Sequence, residues 1–153
     1  MLTTRQKISL ARIARAPVIA MRRLLGRGPE VLVTRRGIRW QLDLREGIDF
    51  SIFVMGGFEL RTIAAYAAVL KPGSVALDIG ANIGAHALPL ANMVGPTGRV
   101  LAFEPTAFAF SKLQRNLALN PQLQSRVRSF QMMLVASDVE ALPEALYSSW
   151  PLE

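Results

Sequence analysis

"VALDIGANIGAH", Val75 to His86, decides the fold. Its apolar residues Val75, Ala76, Leu77 and Ile79 form a short continuous run rather than an alternation, the pattern of a strand buried on both faces of a parallel sheet. Asp78 and Gly80 stand at the carboxyl end of that strand, the edge where open α/β sheets bind ligands against the amino terminus of the next helix. Gly80 and Gly84 give the permissive backbone that a tight strand-to-helix turn needs, and they put no side chain between main chain and ligand.

The loop chemistry narrows the ligand. A phosphate-binding loop would carry Lys and then Ser or Thr after its second glycine, but Ala85 and His86 follow Gly84. A dinucleotide loop would read G-x-G-x-x-G, whereas this one reads G-A-N-I-G with a carboxylate two residues ahead, where it would repel a pyrophosphate. S-adenosylmethionine carries an ammonium and a sulfonium instead of phosphates, and an acid at this point attracts it.

A second acid lies further on. After the turn "GPTG", Gly95 to Gly98, the strand pattern "RVLAFEP" ends in Glu104, placed to accept hydrogen bonds from both hydroxyls of a ribose. Pro105 is expected at the first position of a helix with Phe110, Leu113 and Leu117 on one face, which Asn120 and Pro121 end. "LDIGANIGAH", "GRVLAFEP" and "LQRNLALNP", in that order, resemble the FkbM-type family of S-adenosylmethionine-dependent methyltransferases, over about Gly57 to Asp138. The resemblance implies a Rossmann-like class I fold in which Asp78, Gly80, Asn82 and Gly84 line the methionine end of the cofactor and Glu104 holds the ribose. It also implies that Ser137 and Asp138, in "LVASD", form the adenine-side loop, although such pairs are common turn chemistry.

Each residue also has a plainer role. Asn82 alone would read as a helix cap, and Asp78 alone as a strand-end turn acid; two acids at this spacing favour cofactor binding. His86, the only histidine, falls in the first helical turn near the expected cofactor, where the alternatives are a general base toward a hydroxyl substrate and a packing or solvated residue; with no partner identifiable the second reading is preferred. No catalytic residue and no metal site is assigned. Pro89 should kink or shorten its helix.

A complete sheet of the resembled class has seven strands. Here three are expected, near residues 75 to 79, 100 to 103 and 127 to 135, so Val75 to Ile79 would lie at an open edge and the chain reads as a truncated form, inactive alone. The expected organisation is a basic leader over 1–28, a β-hairpin region over 29–56 and a partial cofactor-binding domain over 57–153. In the hairpin, Val31 to Thr34 and Ile38 to Leu42 are the strands and Gly37 the turn. A helix near Phe58 would put Ile63, Ala67 and Leu70 on one face, with Glu59 at the positive end of its dipole and "GGFE" near the substrate mouth by resemblance.

Residues 1–28 hold seven of the 18 Lys and Arg and no acid; the remaining 11 basic and 11 acidic residues cancel, so the net charge of +7 sits in the leader. A helical wheel puts Leu10, Ile13, Ala14, Met21, Leu24 and Leu25 on one side and most arginines on the other, as for a helix lying on an anionic membrane surface. A solvated basic arm and a transit peptide share that composition. "APVIAM" is too short for a secretory signal, and no segment approaches a membrane span. The absence of cysteine excludes disulfides, a thiolate nucleophile and a zinc cluster, in keeping with a cytoplasmic protein. Nucleic acid is a minor partner, because no aromatics interleave the basic residues. The function expected is methyl transfer from S-adenosylmethionine to an oxygen of a small molecule, sugar or lipid. The alternative is a non-catalytic membrane- or partner-binding module that keeps the loop as structure.

Overall fold

The structure, a computed structural model, describes residues 4–136 and Pro151. It falls into two compact units, with the division between Phe58 and Glu59.

The first unit contains helix α1 (Thr4–Leu24), strands β1 (Glu30–Arg35) and β2 (Ile38–Asp43), and helix α2 (Gly47–Met55). The hairpin pairs Arg35 with Ile38 across Arg36 and Gly37, whose φ angles are 50° and 78°. Two successive positive dihedrals are what a two-residue turn needs to match the twist of its strands, and Gly37 takes its one at no steric cost. Along β2, Ile38, Trp40 and Leu42 are buried. Leu44 and Phe50 form a small core on which Val18 and Ile19 of α1, Val31 and Phe53 pack. Helix α2 was not expected from the sequence. Its signals are Asp49 in the first turn, which accepts the Asp43 amide at 2.7 Å, and Gly56, which closes the helix in the left-handed region.

The second unit runs α3 (Leu60–Val69), β3 (Val75–Ile79), α4 (Ala87–Met93), β4 (Arg99–Phe103), α5 (Ala107–Ala118), α6 (Pro121–Gln124) and β5 (Val127–Phe130). Its strands form a parallel sheet in the order β3-β4-β5, with Asp78 opposite Ala102 and Val100 opposite Val127. This is the expected α/β architecture with a partial sheet. On one face Asp78, Val100, Ala102 and Val127 are buried, with α4 and α6 against the sheet. The other face is open: Val75, Leu77 and Ile79 are 62%, 59% and 65% exposed, and the stacked rings of Phe103 and Phe130 are half-buried. The expectation that β3 is covered on both faces is therefore corrected; its continuous apolar run hides a one-sided strand.

Several element boundaries also differ. Pro105 lies outside α5, whose cap is Thr106, its hydroxyl accepting the Ala109 amide at 3.4 Å. Helix α5 does end just before Asn120 and Pro121, and Pro121 then opens the short α6, where its missing N–H costs nothing. Strand β5 stops at Phe130, not residue 135, and Ile63 and Tyr66 of α3, with Leu70 just past its end, are half-buried while Ala67 is exposed. Pro89 falls in the first turn of a seven-residue α4, where proline is tolerated.

Candidate functional site

The loop between β3 and α4 is braced from within. The amides of Gly80 and Ala81 both donate to the Phe103 carbonyl, at 2.8 and 2.9 Å, and that of Gly84 donates to Ala81 at 2.8 Å. The Asn82 amide donates to Oε2 of Glu104 at 3.0 Å, and the Ile83 amide to Oδ1 of Asn82 at 2.9 Å. Every amide from Gly80 to Gly84 thus has an internal acceptor. A loop that cradles phosphate turns such amides toward its ligand; this one has spent them on its own shape.

The two glycines do different things. Gly84, at φ +92°, packs so closely that an added Cβ would come within 2.3 Å of Leu88 Cδ1 and 2.9 Å of Leu113 Cδ1. Gly80, at φ +81°, has open space where its Cβ would stand. Asn82 also has a positive φ, 49°, and does not cap α4, which begins at Ala87 behind His86. Asn116, fully buried on α5, donates from its side chain to the Ile83 carbonyl at 3.0 Å, and Asn120 donates to the Asn116 carbonyl at 2.8 Å. Asn116 thus holds the loop to α5, and Asn120, the other asparagine of "NLALN", binds back onto that helix; neither role shows in the sequence pattern.

The carboxylates differ as sharply. Glu104 is 3% exposed and makes three bonds inside the fold: besides the Asn82 amide it accepts the Thr106 amide at 2.9 Å and the Thr106 hydroxyl at 2.6 Å. Asp78 is also buried, but its Oδ2 has no hydrogen-bond partner among the described residues. Burial pushes the Asp78 pKa up; His86 and the Ala87 amide oppose the shift, and Glu104 adds to it. The Tyr66 pKa is raised too, by burial first and then by the negative charges of Asp78 and Glu59.

His86 has a neighbour that the sequence did not reveal. Its Nε2 lies 3.6 Å from Oε2 of Glu59, and its ring meets Tyr66 edge-on at 5.7 Å. Glu59 precedes α3 at φ 47° and its side chain does not cap the helix. Asp78, Gly80, Asn82, Gly84 and Glu104 thus converge on one loop; Ser137 and Asp138 lie outside the described residues.

Strand, glycine loop, helix, strand and acid in a parallel sheet make this unit a Rossmann-like fold of the class I methyltransferase type. No family model matches the chain. Methyltransferase sdnD of Sordaria araneosa is 39% identical over 75 residues, covering 49% of this chain and 28% of that protein. AMB antimetabolite synthetase AmbE of Pseudomonas aeruginosa is 49% identical over 49 residues, 32% of this chain and 2% of that protein. The chain therefore spans less than a third of the length of either curated relative. Among solved structures, TYW2 of M. jannaschii in complex with AdoMet superposes with a TM-score of 0.51 at 23% identity, over 75% of this chain and 48% of that one.

Proposed function

We propose that the second unit binds S-adenosylmethionine and forms the cofactor half of a methyltransferase, with residues 57–153 as the cofactor-binding portion. The observation that carries this reading is the pairing of a glycine turn whose amides from Gly80 to Gly84 are all spent inside the fold with a buried carboxylate oxygen on Asp78 that has no hydrogen-bond partner among the described residues. That pairing suits a nucleoside whose charged end is cationic. AdoMet in the TYW2 structure, a protein of the same fold, supports the choice.

When bound, the cofactor supplies a methyl group activated by a positive sulfur. Asp78 would hold the ammonium, and the open backbone at Gly80 admits the cofactor without a side chain in the way. A carboxylate accepts about four hydrogen bonds; Glu104 uses one on the loop at Asn82 and two on Thr106, and keeps capacity for one ribose hydroxyl. His86 would take the proton of an acceptor hydroxyl, with Glu59 as its positioning residue. The acceptor is an oxygen of a small molecule, sugar or lipid, and the protein acts in the cytoplasm with its basic leader at an anionic membrane.

Calorimetry tests this. Asp78→Ala should weaken S-adenosylmethionine binding about 10- to 150-fold, the loss of about 1.5–3 kcal/mol expected for a hydrogen bond to a charged group. Unchanged affinity removes the cofactor assignment. The second reading, a loop kept only as structure in a binding module, is favoured by the three internal bonds of Glu104 and predicts no cofactor binding by the wild-type chain.

A further inference from the structure

The first unit contains a cavity of about 410 Å³, lined by α1, the α1–β1 connection and the turn after β2. Arg15, Arg22, Arg23, Arg27 and Arg45 all contribute to its wall. The Arg45 charge is met by Asp43 at 2.7 Å. Arg22 is anchored differently, donating to the carbonyls of Gly28 at 2.9 Å and Glu30 at 2.8 Å. Carbonyls fix a guanidinium in place without cancelling its charge, so the cation is preorganised. Residues 1–28 carry no acid.

Beside the cavity runs an apolar stripe. Residues three and four apart share a helix face, and Ile13, Pro17, Ala20 and Leu24 follow that spacing and are all exposed, as is Met21 next to them. Ile13, Met21 and Leu24 are 71%, 65% and 87% exposed, while Val18 and Ile19 on the other side of α1 pack on the core. Ala20 belongs both to the stripe and to the cavity wall. Arginines and apolar side chains therefore meet along one line.

We propose that this cavity takes the phosphate of an anionic lipid headgroup while the Ile13–Leu24 stripe lies on the lipid surface. The charge selects the occupant, and the stripe selects a lipid over a soluble phosphate. A phosphomonoester suits the site best, because planar guanidinium groups bind its oxygens through paired hydrogen bonds that a lysine cannot make. Among the described residues no single helix is long and apolar enough to cross a membrane; the proposed contact is that of a helix lying in the interface. Its test does not depend on methyl transfer.

The test is flotation of the full chain with vesicles of phosphatidylcholine alone, or with one-fifth phosphatidylglycerol or phosphatidic acid. Binding should follow phosphatidic acid, then phosphatidylglycerol, then neutral lipid. R23Q/R27Q should bind phosphatidic acid vesicles about 30-fold more weakly, at about 5-fold per arginine. R23K/R27K should keep the phosphatidylglycerol level and lose the phosphatidic acid advantage. L24S/M21S should reduce partitioning onto both anionic vesicles, with all variants matched to wild type in circular dichroism. Equal partitioning onto neutral and anionic vesicles overturns the proposal. So does a lysine variant that matches wild type on phosphatidic acid, tight binding of inorganic pyrophosphate without vesicle binding, or displacement from vesicles by single-stranded RNA at equal phosphate concentration.

Discussion

Replacing Glu104 by alanine should damage the fold more than its single side chain suggests. The substitution removes the acceptor of two backbone amides, Asn82 and Thr106, as well as the Thr106 hydroxyl. Thr106 can rotate, but an amide in a tight loop cannot follow a missing partner. An unsatisfied buried donor costs about 1–3 kcal/mol, so the two amides together cost about 2–6 kcal/mol, a large part of a typical stability of about 5–15 kcal/mol. Amide hydrogen exchange in β3 and β4 reads the second unit specifically: a loss of about 3 kcal/mol would lower protection about 150-fold. Glu104→Gln, which keeps one acceptor oxygen, should fall about midway. Asp78→Asn is the counter-case, since it removes a charge whose Oδ2 is buried without a partner. It should leave protection unchanged or raised while weakening S-adenosylmethionine binding. Unaltered protection in Glu104→Ala would refute the bracing role and return that carboxylate wholly to the ligand.

The two glycines should respond differently to alanine. Gly84→Ala drives a Cβ into Leu88 and Leu113 and should destabilise by about 2–3 kcal/mol in urea titration, whereas Gly80→Ala adds only the strain of a positive φ, about 1 kcal/mol, and should mainly impair cofactor binding. The raised pKa of Asp78 gives a pH signature. Its contribution to folding is fullest below the unfolded value near 3.8 and is lost as pH rises through the higher folded value. A cationic ligand favours the ionised form, so cofactor affinity should rise over that same upward step, with proton release visible as a buffer-dependent enthalpy, and the step should vanish in Asp78→Asn; a wild-type profile as flat as that of Asp78→Asn would count against contact between Asp78 and the ammonium.

The glycine loop was legible in sequence because its requirements are local: an acid after an apolar run, glycines four apart, a second acid at the next strand end. Contacts that cross the fold were not. Asn116 reaches Ile83 across 33 residues and Glu59 reaches His86 across 27, and neither separation follows any helical or strand period. Glu104 was found for its charge and position, but its engagement with Asn82 depends on where the loop folds back. The burial of β3 was misread because a continuous apolar run reports what a strand prefers, not what covers it. Helix α2 was hidden for a related reason: its nearly unbroken apolar run, Phe50 to Met55 with one serine, carries no clean helical period.

The bare side of β3 has a thermal consequence. Val75, Leu77 and Ile79 expose an apolar, β-branched-rich strip on a strand whose outer backbone groups have no neighbour among the described residues. Contacts between such strips strengthen on warming from the cold, because water's aversion to hydrocarbon is weaker near freezing. Purified chain should therefore stay dispersed on ice and turn cloudy as the tube warms, with early clearing on return to ice and none once strands have paired edge to edge. Handling temperature then becomes a variable of the protein's chemistry: the same molecules that survive a cold column would be lost at a bench assay performed at growth temperature.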